Sequence, residues 1–424
     1  MNGNGAATTA DAVVAAFRAE AGAAVATVAR LTGDVGRAED AVQEAFAVAV
    51  VRWPLHGVPE RPGAWITTTA RNRALDVLRR EAGRAVREEE SARALRDGMV
   101  AALEATPPVL HPVVDDQLRL LFTCCHPALA REVHVELALR LVCGLRVPEI
   151  ARALLRGEDA VARRIHRAKS KIRDARIPLR VPPPELLGER LPSVLDCVYL
   201  TYTEGYAATA GDTLIRHDLC DEAVRLTRLV VELLPGHPGA QALLALLLLQ
   251  DARRPARLDA DGEVVVLADQ DRTRWDASRI TEGMRWLDLA SAHPEVTAAD
   301  AAYLFQAAVA AEHSTAPSWD ATDWPAIRTL YDQLATLTSS PAVLLNRAVA
   351  VAHADGPAAA LPLLEDLAAD PRLTGSHRLP LALAEVHRML GSVQAARAAY
   401  AEAERLAPTA PERRHATRMR ASLP

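Results

Sequence analysis

The chain has 424 residues, half of them apolar, 4% aromatic and 24% charged. That composition excludes a disordered or fibrous chain and calls for two or three helix-rich globular domains. The net charge of −5 conceals an asymmetry: residues 1–180 carry 27 Lys and Arg against 22 Asp and Glu, whereas the remainder carries 22 against 32. A polyanion such as nucleic acid suits the first half and is repelled by the second. Five cysteines, an odd number, indicate no disulfide framework. The amino terminus lacks the basic start and apolar core of a signal peptide. The longest strongly apolar run, Ala242 to Leu249, is far short of the ~20 residues that span a bilayer. The expectation is a reduced, soluble, cytoplasmic protein with no membrane partner.

Residues 11–31 are predicted to form a first helix, with Val14, Phe17, Ala21, Val25 and Val28 near one face, broken at Gly33-Asp34. In residues 37–54, Val42, Phe46, Ala49 and Trp53 recur at helical spacing and should pack inward. Asp40, Gln43 and Glu44 then form an acidic, amide-bearing edge, which also suits a helix start through the dipole. After a connector with Pro59 and Pro62, residues 64–80 form another helix, with Trp65, Ala70, Leu75 and Leu78 as apolar contacts. Its polar face, Arg71, Asn72, Asp76, Arg79 and Arg80, is chemically suited to holding phosphates and reading exposed bases. An ordinary solvated face accounts for the same residues equally well. Residues 83–114 are charged and proline-containing and read as a partly helical linker.

Asp115-Asp116 opens a new helical stretch in which Leu118, Leu121 and Phe122 are core positions, and residues 132–145 form a further apolar helix. Cys124-Cys125-His126 lacks the two-residue spacing of zinc ligands and is read as buried cysteine. Between Arg146 and Arg180 lie eleven basic residues against four acids, including both lysines of the chain, Lys169 and Lys171. Pro148 suits the start of a short helix, and Gly157 suits a left-handed helix end. Glu158-Asp159 can cap and charge the next helix. There Val161, Ile165, Ala168 and Ile172 face inward, and Arg163, Arg167 and Lys171 line the outside. A short helix, a tight turn and a longer basic helix is the helix-turn-helix arrangement, whose second helix can enter a major groove.

Pro182-Pro183-Pro184 marks a boundary. Beyond it helical patterns recur at 191–206, 218–234, 238–253, 278–292, 298–313, 323–337, 341–354, 357–369, 376–390 and 393–407. The last four align with Gly356 over Gly391, 35 residues apart, close to a tetratricopeptide period of ~34. Residues 255–276 interrupt the pattern, with a short β-like run at 264–267 and an Arg-Asp network around Asp269, Asp271, Arg272 and Trp275 that reads as a pinned loop. No nucleophile–base pair accompanies it, so no enzyme activity, metal or cofactor is expected.

Two blocks together carry a family resemblance. Residues 37–54 and 64–80 (RAEDAVQEAF… and AWITTTARNRALDVLRR) resemble the second conserved region of sigma-70 family initiation factors of the extracytoplasmic-function class. Residues 118–175, with GLRVPEIARALL and ARRIHRAKSKIR, resemble the fourth region. YLTYTEGY (199–206), DQDRTRWD (269–276) and LNRAVAV (345–351) look like the subgroup with a tetratricopeptide-like carboxy-terminal extension.

The resemblance implies an all-α protein with two small sigma domains (10–82 and 115–180, the second a helix-turn-helix) and a helical-repeat domain over 185–424. Its implied partners are core RNA polymerase and promoter DNA. It implies that Asp40, Gln43, Glu44 and Phe46 dock on polymerase, and that Trp65, Arg71, Asn72, Asp76, Arg79 and Arg80 melt and read the minus-ten element. It further implies that residues 158–171 read the minus-thirty-five element, with Arg163, Arg164, Arg167, Lys169 and Lys171 supplying phosphate affinity and Glu158 or Asp159 accepting from cytosine. The carboxy-terminal domain is expected to act as a regulatory surface, through a protein partner or an intramolecular contact. A helix-turn-helix regulator with a helical-repeat sensor is the alternative; it gives residues 37–80 no task.

Overall fold

The computed structural model describes residues 9–88, 115–154, 156–209 and 213–424. The part of the expected linker beyond Glu88 lies outside the described residues. The protein is all-α, with no strand among the described residues, and divides into two compact units, Met1–Cys197 and Val198–Pro424. This division falls inside a helix, Pro184–Tyr206, rather than at the proline run before it.

The first unit begins with α1 (Thr9–Thr32), α2 (Val35–His56) and α3 (Pro62–Glu88), which pack on one another. Gly33, at φ +68, ends α1 in the left-handed region. The Asp34 carboxylate then caps α2 by accepting from the Gly36 and Arg37 amides at 2.8 and 3.1 Å. Val28, Val42, Ala49, Trp53, Ile66 and Ala70 are buried between the three helices. Two edge-on aromatic pairs fix their register: Phe17 with Phe46 at 5.0 Å and Trp53 with Trp65 at 5.6 Å between centroids. Helix α1 is long and apolar enough to cross a bilayer by length and composition. Its apolar side is instead used in packing on α2, α3 and α4 (Asp116–Cys124).

Three further helices add to this unit's core: α5 (Arg131–Leu141), α6 (Val147–Ala153) and α7 (Glu158–Asp174). Leu118, Leu121, Phe122, Leu137, Leu141, Ile150, Val161, Ile165 and Ile172 are buried among them. Cys124 and Cys125 are buried thiols, as the sequence suggested, and Cys143 is buried as well; Cys125 Sγ lies 3.8 Å from Cys197 Sγ. The close approach of α1 to the end of α5 depends on Gly22, where a Cβ would stand 1.8 Å from the Val142 carbonyl oxygen. Arg30 pairs with Asp116 at 2.9 Å beside it.

The second unit takes the end of α8 (Pro184–Tyr206) and continues with α9 (His217–Leu233) and α10 (Pro238–Asp251). Helix α10 holds the run Ala242 to Leu249, all of it buried. A helix apolar all round is stable only as an interior element, and α10 packs on α9, α11 (Ala277–Ser291) and α12 (Ala298–Thr315). The chain then runs through α13 (Trp324–Leu337), α14 (Pro341–Ala354), α15 (Pro357–Leu367), α16 (Arg378–Met389), α17 (Val393–Leu406) and α18 (Ala410–Ala421), each packed on its predecessor. The last of these has no counterpart among the helices expected from the sequence. Gly356 and Gly391 both take positive φ, +99 and +71, at matching turns of the two hairpins. Helix α14 also touches α16, the corresponding helix of the next hairpin.

The interruption at 254–276 holds three single turns of 3-10 helix, and the anticipated β-like run makes one isolated bridge, Leu258 to Val264. It is pinned, but mainly through arginines on carbonyl groups. Arg257 donates to the Tyr206 carbonyl and lies over its ring. Arg272 donates to the carbonyls of His313 and Ala316 at 2.8 and 2.6 Å, and Glu263 pairs with Arg414 and Arg418 of α18.

Candidate nucleic-acid interface

Helix α2 separates its residues cleanly. Val42, Phe46, Ala49 and Trp53 are buried, while Asp40, Gln43 and Glu44 are exposed. The Asp40 carboxyl is raised above the usual range, first by partial burial and then by the charge of neighbouring Glu39. Phe46, at 6% exposure, is a core residue against Phe17, so within the free chain it supports the helix and presents no surface. Beyond the acids the same outer side of α2 carries Val50, Val51 and Leu55 at 57, 65 and 75% exposure. The sequence pattern did not single these three out. Their signal was apolar residues seven positions after Gln43 and Glu44 and eleven after Glu44, two and three helical turns along the side opposite the core positions.

On α3, Arg71, Asn72, Asp76, Arg79 and Arg80 are all exposed, and Trp65 is half-buried against Trp53. Arg79 stands 3.6 Å from Asp76, and Arg80 donates to the Asp76 carbonyl at 3.1 Å. Arg71 and Asn72 have no partner among the described residues. The pattern arises because Ile66, Ala70 and Ala74 take the buried side of α3, so the turns between them face water.

Helix α6 starts at Val147 with Pro148 in its first turn, and the Glu149 carboxylate accepts from the Arg146 amide at 2.7 Å. The turn that follows differs from the expectation. Gly157 is extended (φ −74, ψ 136) and serves as the N-cap residue of α7, not as a left-handed helix end. The preceding helix has already stopped at Ala153, with Leu154 turning the chain (φ −100, ψ 4). Glu158 and Asp159 are exposed in the first turn of α7 and make no side-chain cap. Their charge favours the helix start through the dipole while their carboxylates face outward.

The basic residues of α7 fall into two groups. Arg163, Arg167 and Lys171 are exposed and unpaired among the described residues. Arg164 and Lys169 are half-buried and committed. Glu136 of α5, with no exposure at all, accepts from Arg164 Nε at 2.9 Å and Nη2 at 2.6 Å, and from Arg156 Nη1 at 2.6 Å. Glu39 of α2, at 8% side-chain exposure, accepts from Arg140 Nε at 2.6 Å and from Lys169. Buried carboxylates of this kind are tolerable only because cations and hydrogen bonds surround them. The first fixes α7 against α5; the second ties α7 to α2. Both glutamates were missed, because a single acid in an apolar helix pattern gives no indication of which distant cation it will meet.

Two stretches of the chain match protein families. Residues 16–84, which contain α2 and the exposed side of α3, match sigma-70 region 2. Residues 190–291 match a family of unknown function. An uncharacterized protein of Rhizobium meliloti (strain 1021) is 40% identical over 389 residues, covering 92% of this chain and 90% of that protein. A probable ECF RNA polymerase sigma factor, SigI of Mycobacterium tuberculosis, is 31% identical over 173 residues, 41% of this chain and 58% of SigI. The ECF RNA polymerase sigma factor SigJ of the same species is 32% identical over 144 residues, 34% of this chain and 44% of SigJ. Residues 16–84 are thus a sigma-70 region 2 segment, and the chain as a whole belongs to one family with the Rhizobium meliloti protein.

Proposed function

We propose that the protein is an alternative sigma factor of the extracytoplasmic-function class, which binds core RNA polymerase in the cytoplasm and directs initiation at selected promoters without catalytic chemistry of its own. The observation that carries this reading is the match of residues 16–84 to sigma-70 region 2, with its polar residues exposed on two packed helices. In this reading the outer side of α2, from Asp40, Gln43 and Glu44 to Val51 and Leu55, docks on polymerase. An apolar strip rimmed by charge is a common composition for a protein-binding face. The exposed Arg71, Asn72, Asp76, Arg79 and Arg80, with Trp65 beside them, contact the minus-ten element. Arg163, Arg167 and Lys171 contact phosphates or guanine edges at the minus-thirty-five element, and Glu158 or Asp159 accepts from a cytosine amino group.

Arg164 and Lys169 act differently in this reading: they set the position of α7 through Glu136 and Glu39. The carboxy-terminal unit, which has tetratricopeptide-like hairpins in its last four repeat-forming helices, acts as a control or interaction domain. The Rhizobium meliloti relative aligns over 92% of this chain, a span that takes in both units, and this supports a joint task. The test is a pull-down with core polymerase followed by run-off transcription. Polymerase that initiates equally with and without the protein on every promoter tested refutes the reading. Deletion of residues 185–424 is expected to change promoter activity at an unaltered protein level.

A further inference from the structure

The carboxy-terminal unit contains an arginine that no described residue neutralises. Arg253 stands two residues past the end of α10 and is only 8% exposed. Its Nε is sealed from solvent without a hydrogen-bond partner. Its guanidinium forms no ion pair or side-chain hydrogen bond among the described residues. Other strongly buried charges of the unit are partnered: Asp251 holds Arg254 and Arg279, for example. A lone buried cation is costly enough that proteins rarely retain one without an anion to receive it.

Three segments converge on this position through hydrogen bonds. Ser314, near the end of α12, donates to the Leu249 carbonyl at 3.3 Å. The Asp276 amide donates to the Ala252 carbonyl, next to Arg253, at 2.9 Å. Arg272 reaches the end of α12 through one nitrogen, Nη1, and lies 4.4 Å over the Trp275 ring. Its other terminal nitrogen, Nη2, is buried and unpartnered, as is the indole Nε1 of Trp275. Arg272 likewise forms no ion pair with a carboxylate of the described residues. The positive charge of this pair is felt by His313, whose imidazole is held down to about 3, first by burial and then by Arg253 and Arg272. Sealed donors, Arg253 Nε, Arg272 Nη2 and Trp275 Nε1, thus gather at one end of α10 in a cationic setting, with no carboxylate paired to them among the described residues. The loop that brings them together is the interruption at 254–276, whose arginine anchors hold it in place and leave these atoms over.

The geometry points to a binding site for a small oxyanion, a carboxylate or a phosphate, held by Arg253 and Arg272 with Trp275 at its edge. A guanidinium fork receives two oxygens at once, and the indole N–H supplies a neutral donor beside them. The site lies outside every residue assigned above to polymerase or DNA, so it adds a ligand-binding capacity to the second unit that is independent of that assignment.

The full-length protein is melted in sodium phosphate and, in a parallel arm, in sodium acetate, each against sodium chloride at matched ionic strength. One oxyanion is expected to raise Tm saturably by about 5 °C at a concentration far above its Kd, and the arm that responds identifies phosphate or carboxylate as the preferred head group. Arg253→Met should melt at or above the wild type in chloride, because an unpaired buried charge is gone, and should lose the oxyanion response. Arg253→Lys keeps the charge without the fork and should weaken the response at least tenfold in concentration. A wild-type Tm that follows ionic strength alike in all three salts overturns the proposal. So does a full saturable response retained by either variant.

Discussion

Lys169 of α7 gives its ammonium to Glu39 of α2, 130 positions away in the chain, while Arg163 on the same helix faces solvent without a partner among the described residues. The basic helix is therefore not a uniform cationic rod: its charges are divided between holding the fold and facing outward. Arg163→Ala, Arg167→Ala and Lys171→Ala should each weaken binding to promoter DNA and lower the slope of log affinity against log salt by about 0.9 for each phosphate no longer neutralised. Lys169→Ala should leave that slope nearly unchanged and lower Tm instead. Anisotropy titrations at several salt concentrations separate the two; an equal slope change for Lys169 and Arg163 would contradict the division.

Glu136 is fully buried between Arg156 and Arg164. Removing one member of a buried charge network leaves the others uncompensated, at a cost of about 3–5 kcal/mol. Glu136→Ala is accordingly expected to shift the urea midpoint of the first unit strongly downward in full-length protein. A loss under about 1 kcal/mol would mean that water replaces the carboxylate without difficulty.

Val51 and Leu55 are exposed at 65 and 75%, so replacing them should leave the core intact. Val51→Asp with Leu55→Asp is expected to abolish capture by core polymerase with Tm within about 2 °C of wild type, as for surface changes generally. Asp40→Ala with Glu44→Ala should weaken the same capture. Retention of polymerase by both double variants would remove this side of α2 from the docking surface.

His313 titrates at about 3 in the folded protein, held down by burial and by Arg253 and Arg272, against about 6.5 when unfolded. Between those values the unfolded chain binds the proton and the folded chain does not, so stability falls as pH drops below about 6.5. At pH 5 the loss amounts to about 2 kcal/mol from this residue. Burial also lowers His353 and His415, which adds in the same direction. Asp271 and Asp276 have carboxyls depressed by hydrogen bonds to Thr273 and Ser278, and their contributions are lost only at lower pH. Melting followed by circular dichroism between about pH 7.5 and 5 checks this: the transition of the second unit should move down, and His313→Gln should reduce its shift. A pH-independent transition would exclude it.

Much of the helical framework was legible because burial repeats at about 3.6 residues. Val42, Phe46, Ala49 and Trp53 were read as inward and are buried; so are Val161, Ile165, Ala168 and Ile172. Leu75 and Leu78, read as apolar contacts, are only half-buried, and Ile66 and Ala74 take the deeper positions. The periodic pattern fixes a face to within a residue or two and does not weigh which of two adjacent apolar residues is nearer the neighbouring helix. Gly157 shows a similar limit. A glycine between two helices suits either a left-handed end or an extended N-cap, and local composition does not choose between them.

The amino-acid sequence by itself determined the all-helical class, the inward sides of the helices, the contrast of charge between the two halves and the sigma-70 region 2 motif. These depend on local period and composition, which a linear chain displays in full. Only the tertiary structure decided that Arg164 belongs to Glu136, that Lys169 belongs to Glu39 and that Arg253 belongs to none of the described residues. The strength of a charge depends on what surrounds it in three dimensions, and each of these arginines and lysines looks alike until the distant helices that desolvate or neutralise it are in place.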